Sequence, residues 1–167
     1  MRFKIITLVA VALLATACSS KPQQEAQATT GGTVAPPPAP PPAAPSGPAP
    51  GSAEDFIQNV GDRVFFGFDK FDLTPEATAT LDRQAAWLKQ YPAVTVTVEG
   101  HADERGTREY NLALGDRRAA SVKKYLTALG VDAARVQTIS YGKERPAVEG
   151  SNEAAWTQNR RGVTVIN

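Results

Sequence analysis

The chain has 167 residues, 42% hydrophobic and 21% charged, with 18 Lys and Arg against 17 Asp and Glu for a formal net charge of +1. That balance supplies no strong field to draw in nucleic acid or an acidic surface, so recognition has to come from specific pockets. With Cys18 the only cysteine, no disulfide can form within one chain.

Arg2 and Lys4 precede a mostly apolar run from Ile5 to Leu14 that is too short to span a bilayer and ends in small residues, so residues 1–17 read as an export signal. Cys18 follows Ala15-Thr16-Ala17 and becomes the first residue after cleavage; an ordinary secreted protein would instead carry a reactive unpaired thiol. Residues 18–52 run through Gln, Ala, Thr and Gly into V-A-P-P-P-A-P-P-P-A-A-P-S-G-P-A-P-G, which holds most of the 13 prolines. Such a composition cannot build a core and is expected to be a disordered tether. Extended at ~3.1 Å per residue, it reaches at most on the order of 100 Å. Docking to an SH3-like domain is the alternative use of a Pro-rich stretch.

Residues 53–167 are enough for a single core. Val64 to Phe68 is aromatic and β-branched and reads as a buried strand. Thr74 is placed to cap a helix that has Pro75 in its first position, Glu76 favouring its dipole, an apolar stripe of Leu81, Ala85 and Leu88, and a stop at Pro92. V-T-V-T-V-E-G from Val94 alternates strictly, which means a strand with one covered face. A long helix from about Thr107 to Leu129 closes at Gly130. A strand near Val136 to Tyr141, a short helix near Glu153 to Asn159 and a last strand from Val163 to Ile166 complete the pattern. Helices on one face of a small sheet result, with right-handed crossovers between parallel neighbours; the strand order is not fixed by the pattern.

The run G-H-A-D-E-R-G-T-R-E-Y-N-L-A-L-G-D-R-R from Gly100 to Arg118 puts an acid, Asp103, in a Gly-bounded turn and a base, Arg118, on the following helix. Together they suit a zwitterion, with Asp103 meeting an ammonium and Arg118 a carboxylate. Leu114, Arg118, Val122 and Leu126 are spaced by four and share a helix face, so an arginine sits in an apolar stripe and needs a partner. That partner is a ligand or an internal carboxylate, Asp103 or Glu99. Arg117 projects about 100° away and is expected to be solvated. Replacing Asp103 or Arg118 by Ala is expected to weaken binding and spare the fold.

His101 and Glu104 have a zinc-enzyme-like spacing, but no third strong ligand or general base accompanies them. Ser121 and Ser140 lack His and Asp partners for nucleophilic catalysis, and Trp87 and Trp156 read as packing residues. Neither a metal nor a cofactor is expected, and the chain reads as a binding module, not an enzyme.

Several separated motifs then carry a resemblance: F-G-F-D-K-F-D from Phe66, the G-H-A-D-E-R-G-T-R-E-Y-N run, L-G-D-R-R-A, S-Y-G-K-E-R-P from Ser140, and N-R-R from Asn159. In these residues the chain resembles the OmpA-like peptidoglycan-binding domain family and, with its lipoprotein-like start, the peptidoglycan-associated lipoproteins within it. The resemblance implies an α/β (α+β) two-layer sandwich, a βαβαβαβ domain with helices on one face of a small mixed sheet. It implies acylation of Cys18 and, with Ser19 following, an outer-membrane lipid anchor that leaves the domain in the periplasm. It further implies noncovalent binding of the diaminopimelate of the peptidoglycan stem peptide by Asp103 and Arg118. Asp69, Phe71, Asp72, Thr107 and Leu114 would line the pocket, with His101 and Asn111 in support; Asn159 and Arg161 either support the site by touching glycan or peptide or fix the chain before the final strand. The partners implied are peptidoglycan and, in the Tol system, TolB and TolA, with a role in outer-membrane invagination at division and in envelope integrity.

Overall fold

The computed structural model describes residues 47–167; the export signal, Cys18 and most of the Pro-rich stretch lie outside the described residues. The first element, unexpected from the sequence pattern, is a short helix, α1 (Ala53–Asp55), continued by a π-helical turn over Phe56–Val60. Its signal was present: Ser52 caps the backbone N–H of Asp55 at 3.1 Å, and Phe56 is fully buried against the ring of Trp87, 4.9 Å between centroids.

Strand β1 (Arg63–Phe65) is shorter than its apolar run: the Phe66 N–H still reaches the Arg160 carbonyl at 2.9 Å, but the Arg160 N–H is spent on the Trp156 carbonyl, so the ladder ends there. Helix α2 (Pro75–Gln90) starts as its cap, Thr74, dictates, and buries Leu81, Ala85 and Leu88. Strand β2 (Val96–His101) and strand β3 (Val136–Gly142) flank helix α3 (Arg108–Ala128), and a single 3-10 turn, Ala133–Arg135, leads into β3. Gly130 ends α3 at φ +93°: the N–H groups of Gly130 and Val131 bond the carbonyls of Thr127 and Leu126, the paired bonds of a Schellman cap. Helix α4 (Glu153–Asn159) and strand β4 (Arg161–Ile166) follow, β4 beginning two residues before the expected start.

The sheet order is β1-β4-β2-β3. Strand β4, the last in the chain, runs antiparallel to both of its neighbours, while β2 and β3 are parallel. Val64, Val96, Val98 and Val136 point into a core filled by Leu81, Leu88, Val122 and Leu126. On the other face Phe65, Ile139 and Val165 stay exposed, as the alternation in β2 required. No helix among the described residues is long and apolar enough to cross a membrane.

Two glycines set the height of α3 above the sheet. A Cβ on Gly100 would stand 1.8 Å from the Gly115 carbonyl oxygen, and one on Gly115 would stand 2.3 Å from Ser140 Oγ. The helix therefore rests backbone to backbone on β2, which brings Arg118, nearly one turn beyond Gly115, to the carbonyl at the end of that strand.

Candidate functional site

Arg118 is fully buried, as the apolar stripe demanded, together with Leu114, Val122 and Leu126. Its partners are not the carboxylates considered from the sequence. Its guanidinium donates from Nε to the Lys70 carbonyl at 2.8 Å, from Nη1 to the His101 carbonyl at 2.7 Å and from Nη2 to the Gly67 carbonyl at 3.1 Å. A guanidinium has five N–H donors; three are engaged, so one remains on each Nη. Among the described residues no carboxylate lies within ion-pair distance, and burial lowers the Arg118 pKa to about 10, against the opposing pull of Asp103. Arg118 is thus a buried cation with donors to spare, and it also clamps the loop after β1. Its replacement by Ala would disturb the fold, contrary to the expectation from sequence.

The loop it clamps contains the turn Gly67–Lys70, closed by a Lys70 N–H to Gly67 carbonyl bond at 3.2 Å. Asp69 occupies the left-handed region there, at φ 55°, which aspartate tolerates better than most residues. Its carboxylate accepts a hydrogen bond from the Tyr110 hydroxyl, so the first-strand loop is tied to the start of α3.

Asp103 is 4% exposed, in the turn after β2. Burial pushes its carboxyl up, but the side chain and backbone N–H of Arg105, with Arg160, outweigh this and hold it below the usual carboxylate value. The bonds are Arg105 N to Oδ1 at 3.2 Å, Arg105 Nη2 to Oδ2 at 2.5 Å and Arg160 Nη1 to Oδ2 at 3.3 Å. Asn111 locks the turn by donating to the carbonyls of Arg105 and Thr107 at 2.8 and 3.0 Å.

Asp103 and Arg118 line one cavity of about 210 Å³, together with the expected Asp69, Asn111 and Leu114. Phe68, Arg105, Gly106 and Tyr110 complete the wall and were not singled out from the sequence. Arg105 and Tyr110 lay inside the motif that marked the site; Phe68 had been assigned to a strand.

The other expected residues lie elsewhere. Thr107 is the cap of α3, its hydroxyl accepting from the Tyr110 N–H at 3.2 Å, and is not among the cavity's lining residues. Phe71 and Asp72 line a separate open groove with Leu73, Ser121, Lys124 and Tyr125. Arg117 is half-buried over the rings of Phe71 and Tyr110, at 5.5 and 5.9 Å, and so is not simply solvated. Asn159 holds the chain before β4: its Oδ1 accepts from the N–H groups of Ala147 and Val148, and its Nδ2 donates to the Val148 carbonyl. Arg161 reaches the carbonyls of Asn159 and Arg145.

His101 is buried beside Tyr141, 5.6 Å between ring centroids, with Glu99 Oε2 3.5 Å from its Nε2. Burial, and then the charge of Arg161, lower its pKa to about 4. Glu104 accepts the Trp156 indole N–H at 3.1 Å. Among the described residues no three or more His, Cys, Asp or Glu cluster as metal ligands would.

A family model described as the OmpA family matches residues 65–160. The peptidoglycan-associated lipoprotein of Rhizobium meliloti (strain 1021) is 58% identical over 117 residues, 70% of this chain and 66% of that protein. The protein of the same name from Brucella suis biovar 1 is 55% identical over 118 residues, 71% and 70% of the two chains. The match thus spans about two thirds of the length of these relatives. Among solved structures, the peptidoglycan-associated lipoprotein from Burkholderia pseudomallei aligns with a TM-score of 0.62 at 42% identity, over 64% of this chain and 90% of that one. The C-terminal domain of Helicobacter pylori MotB aligns at 0.60 over 64% and 84%, with 21% identity, and shows the shared fold alone.

Proposed function

The chain belongs to the OmpA family, among its peptidoglycan-associated lipoproteins, and on that premise we propose that the cavity between Asp103 and Arg118 grips the free end of diaminopimelate in the peptidoglycan stem peptide. The observation that carries the reading is Arg118: a fully buried guanidinium that, among the described residues, has no carboxylate partner and two unused N–H donors, with a place in the cavity wall. A buried cation of this kind favours an anion, and its charge-assisted N–H donors suit a carboxylate. The ligand's ammonium then faces Asp103, and Asp69 adds a second carboxylate to the same wall. The cavity's size fits an amino-acid terminus and is too small for a sugar chain. Charge-assisted hydrogen bonds contribute roughly 1.5 to 3 kcal/mol each when water is partly excluded, which suits a moderate, reversible grip.

In this reading the domain is a binding module without catalysis, acylated Cys18 anchors it to the outer membrane, and the Pro-rich stretch spans the distance to the wall. The anchor raises the local concentration of the domain, so many weak contacts hold membrane to wall. Kinship with the peptidoglycan-associated lipoproteins supports this, and with it a place in the Tol system beside TolB and TolA, serving envelope integrity and outer-membrane invagination at division.

The test is a titration with a diaminopimelate-containing muropeptide against a lysine-containing one, which lacks the second carboxylate. Preference for the first is expected, with Asp103→Asn weakening both because it removes the partner of the ammonium they share; equal affinity of wild type for the two would refute the role given to Arg118. Incubation with isolated wall, with and without chelator, should yield co-sedimentation and no soluble fragments; release that chelator abolishes would replace the binding reading with a hydrolytic one.

A further inference from the structure

Two guanidinium groups share the Asp103 carboxylate, and only one of them is fixed. Arg160 is buried and held on all sides: Nε donates to the Phe66 carbonyl at 3.2 Å, and Nη2 donates to Glu153 at 2.6 Å and to Thr157 Oγ at 3.1 Å. Arg105 is different. Its side chain is 32% exposed, and its Nε has no hydrogen-bond partner. Apart from Asp103, what holds the guanidinium is a pair of ring faces, Phe68 at 4.1 Å and Trp156 at 4.0 Å. Stacking of this kind is tolerant of direction, so the guanidinium can slide in its plane between the rings without losing them. Phe68 is itself 59% exposed, so one of the two rings is free to follow.

We propose that Arg105 competes with the ligand's ammonium for Asp103 and thereby sets both the affinity of the site and its demand for a cationic group. The inference rests on the diaminopimelate reading above. A carboxylate offers about four acceptor positions; Arg105 takes two of them, through its backbone N–H and its Nη2, and Arg160 a third. An ammonium arriving in the cavity displaces Nη2 of Arg105, leaving the backbone bond and Arg160 in place. One cation replaces another at the carboxylate, so the local charge balance is kept. The Phe68–Trp156 stack retains Arg105 nearby, ready to return on release. Apparent affinity is therefore the intrinsic affinity reduced by the fraction of protein in which Arg105 holds Asp103. A ligand without a positive charge cannot repay the loss of that ion pair, and so is rejected.

The test uses the full mature chain, with Arg105→Gln and Arg105→Lys. Each is titrated with a soluble diaminopimelate-containing muropeptide and with the same compound acetylated on its free amine. Arg105→Gln is expected to bind the amine form roughly two- to fivefold more tightly than wild type, the range set by a partly exposed ion pair. Arg105→Lys is expected to fall between them, and the acetylated compound to bind weakly to wild type. In wild type the Arg105 Nε–H and Trp156 indole N–H resonances should move together as the muropeptide saturates the site. Equal or weaker binding by Arg105→Gln overturns the competition while leaving the diaminopimelate reading intact, provided wild type still prefers that muropeptide to the lysine one. An Arg105 resonance that does not respond to saturation overturns it without recourse to any variant. Failure of wild type to discriminate the two muropeptides overturns both readings.

Discussion

His101 makes the domain's stability sensitive to mild acid, and the size of the effect follows from its surroundings. The imidazole is buried against Tyr141, and burial first, then the charge of Arg161, outweigh the Arg145 backbone and the Glu99 carboxylate 3.5 Å from Nε2, so its pKa falls from 6.5 to about 4. In the unfolded chain it takes a proton as the pH drops through 6.5; in the fold it stays neutral until about 4. The unfolded state binds the extra proton between those limits, so stability is complete above pH 6.5, declines as pH falls, and levels off below 4. An interval of about 2.5 pH units at ~1.36 kcal/mol each gives roughly 3 kcal/mol, a large share of the ~5–15 kcal/mol typical of a domain. The assay is urea unfolding at pH 7, 6, 5 and 4.5, comparing wild type with His101→Phe, which keeps a flat ring and removes the titration. The difference in unfolding free energy between the two should change by about 2 kcal/mol or more over that span. Parallel pH profiles would refute the reasoning, because carboxylates such as Asp103 and Glu153, also held low in the fold, are present in both.

Arg118→Lys keeps the charge but cannot span three carbonyls and still face a ligand; muropeptide affinity should fall at least tenfold and stability by about 1–3 kcal/mol, read by titration and denaturant melts. Gly100→Ala drives a Cβ into the Gly115 carbonyl and should cost more than ~3 kcal/mol or prevent folding, measured by soluble yield and thermal unfolding. Asn159→Ala removes the partner of two N–H groups and a carbonyl and should cost about 1–3 kcal/mol, while muropeptide affinity stays within about twofold because the side chain is outside the cavity.

The elements with strong local signals were legible before the structure. Thr74-Pro75, Thr107, Gly130 and the Val94–Val98 alternation each carry their own punctuation, and helices α2 and α3 appear where those marks put them. What failed did so for tertiary reasons. Phe66 to Phe68 look like a strand, but Arg118, 48 residues after Lys70, pulls that loop off the sheet by taking its carbonyls. The identity of Arg118's partners was equally hidden, because backbone carbonyls leave no trace in side-chain pattern. Asp103 and Arg118 stood out as a charge pair, and they do share a cavity. The aromatic wall of Phe68 and Tyr110, and the bond of Tyr110 to Asp69, depend on how α3 settles on its two glycines, which spacing alone does not reveal. Asn159 and Arg161 brace the chain entering β4, one of the two readings their place before the last strand offered.

The strand order has a temporal meaning. Because β4 lies between β1 and β2, a nascent or truncated polypeptide ending before Arg161 has no middle to its sheet, and its two earlier portions have nothing to zip onto. Folding must wait until that final stretch is synthesised and free.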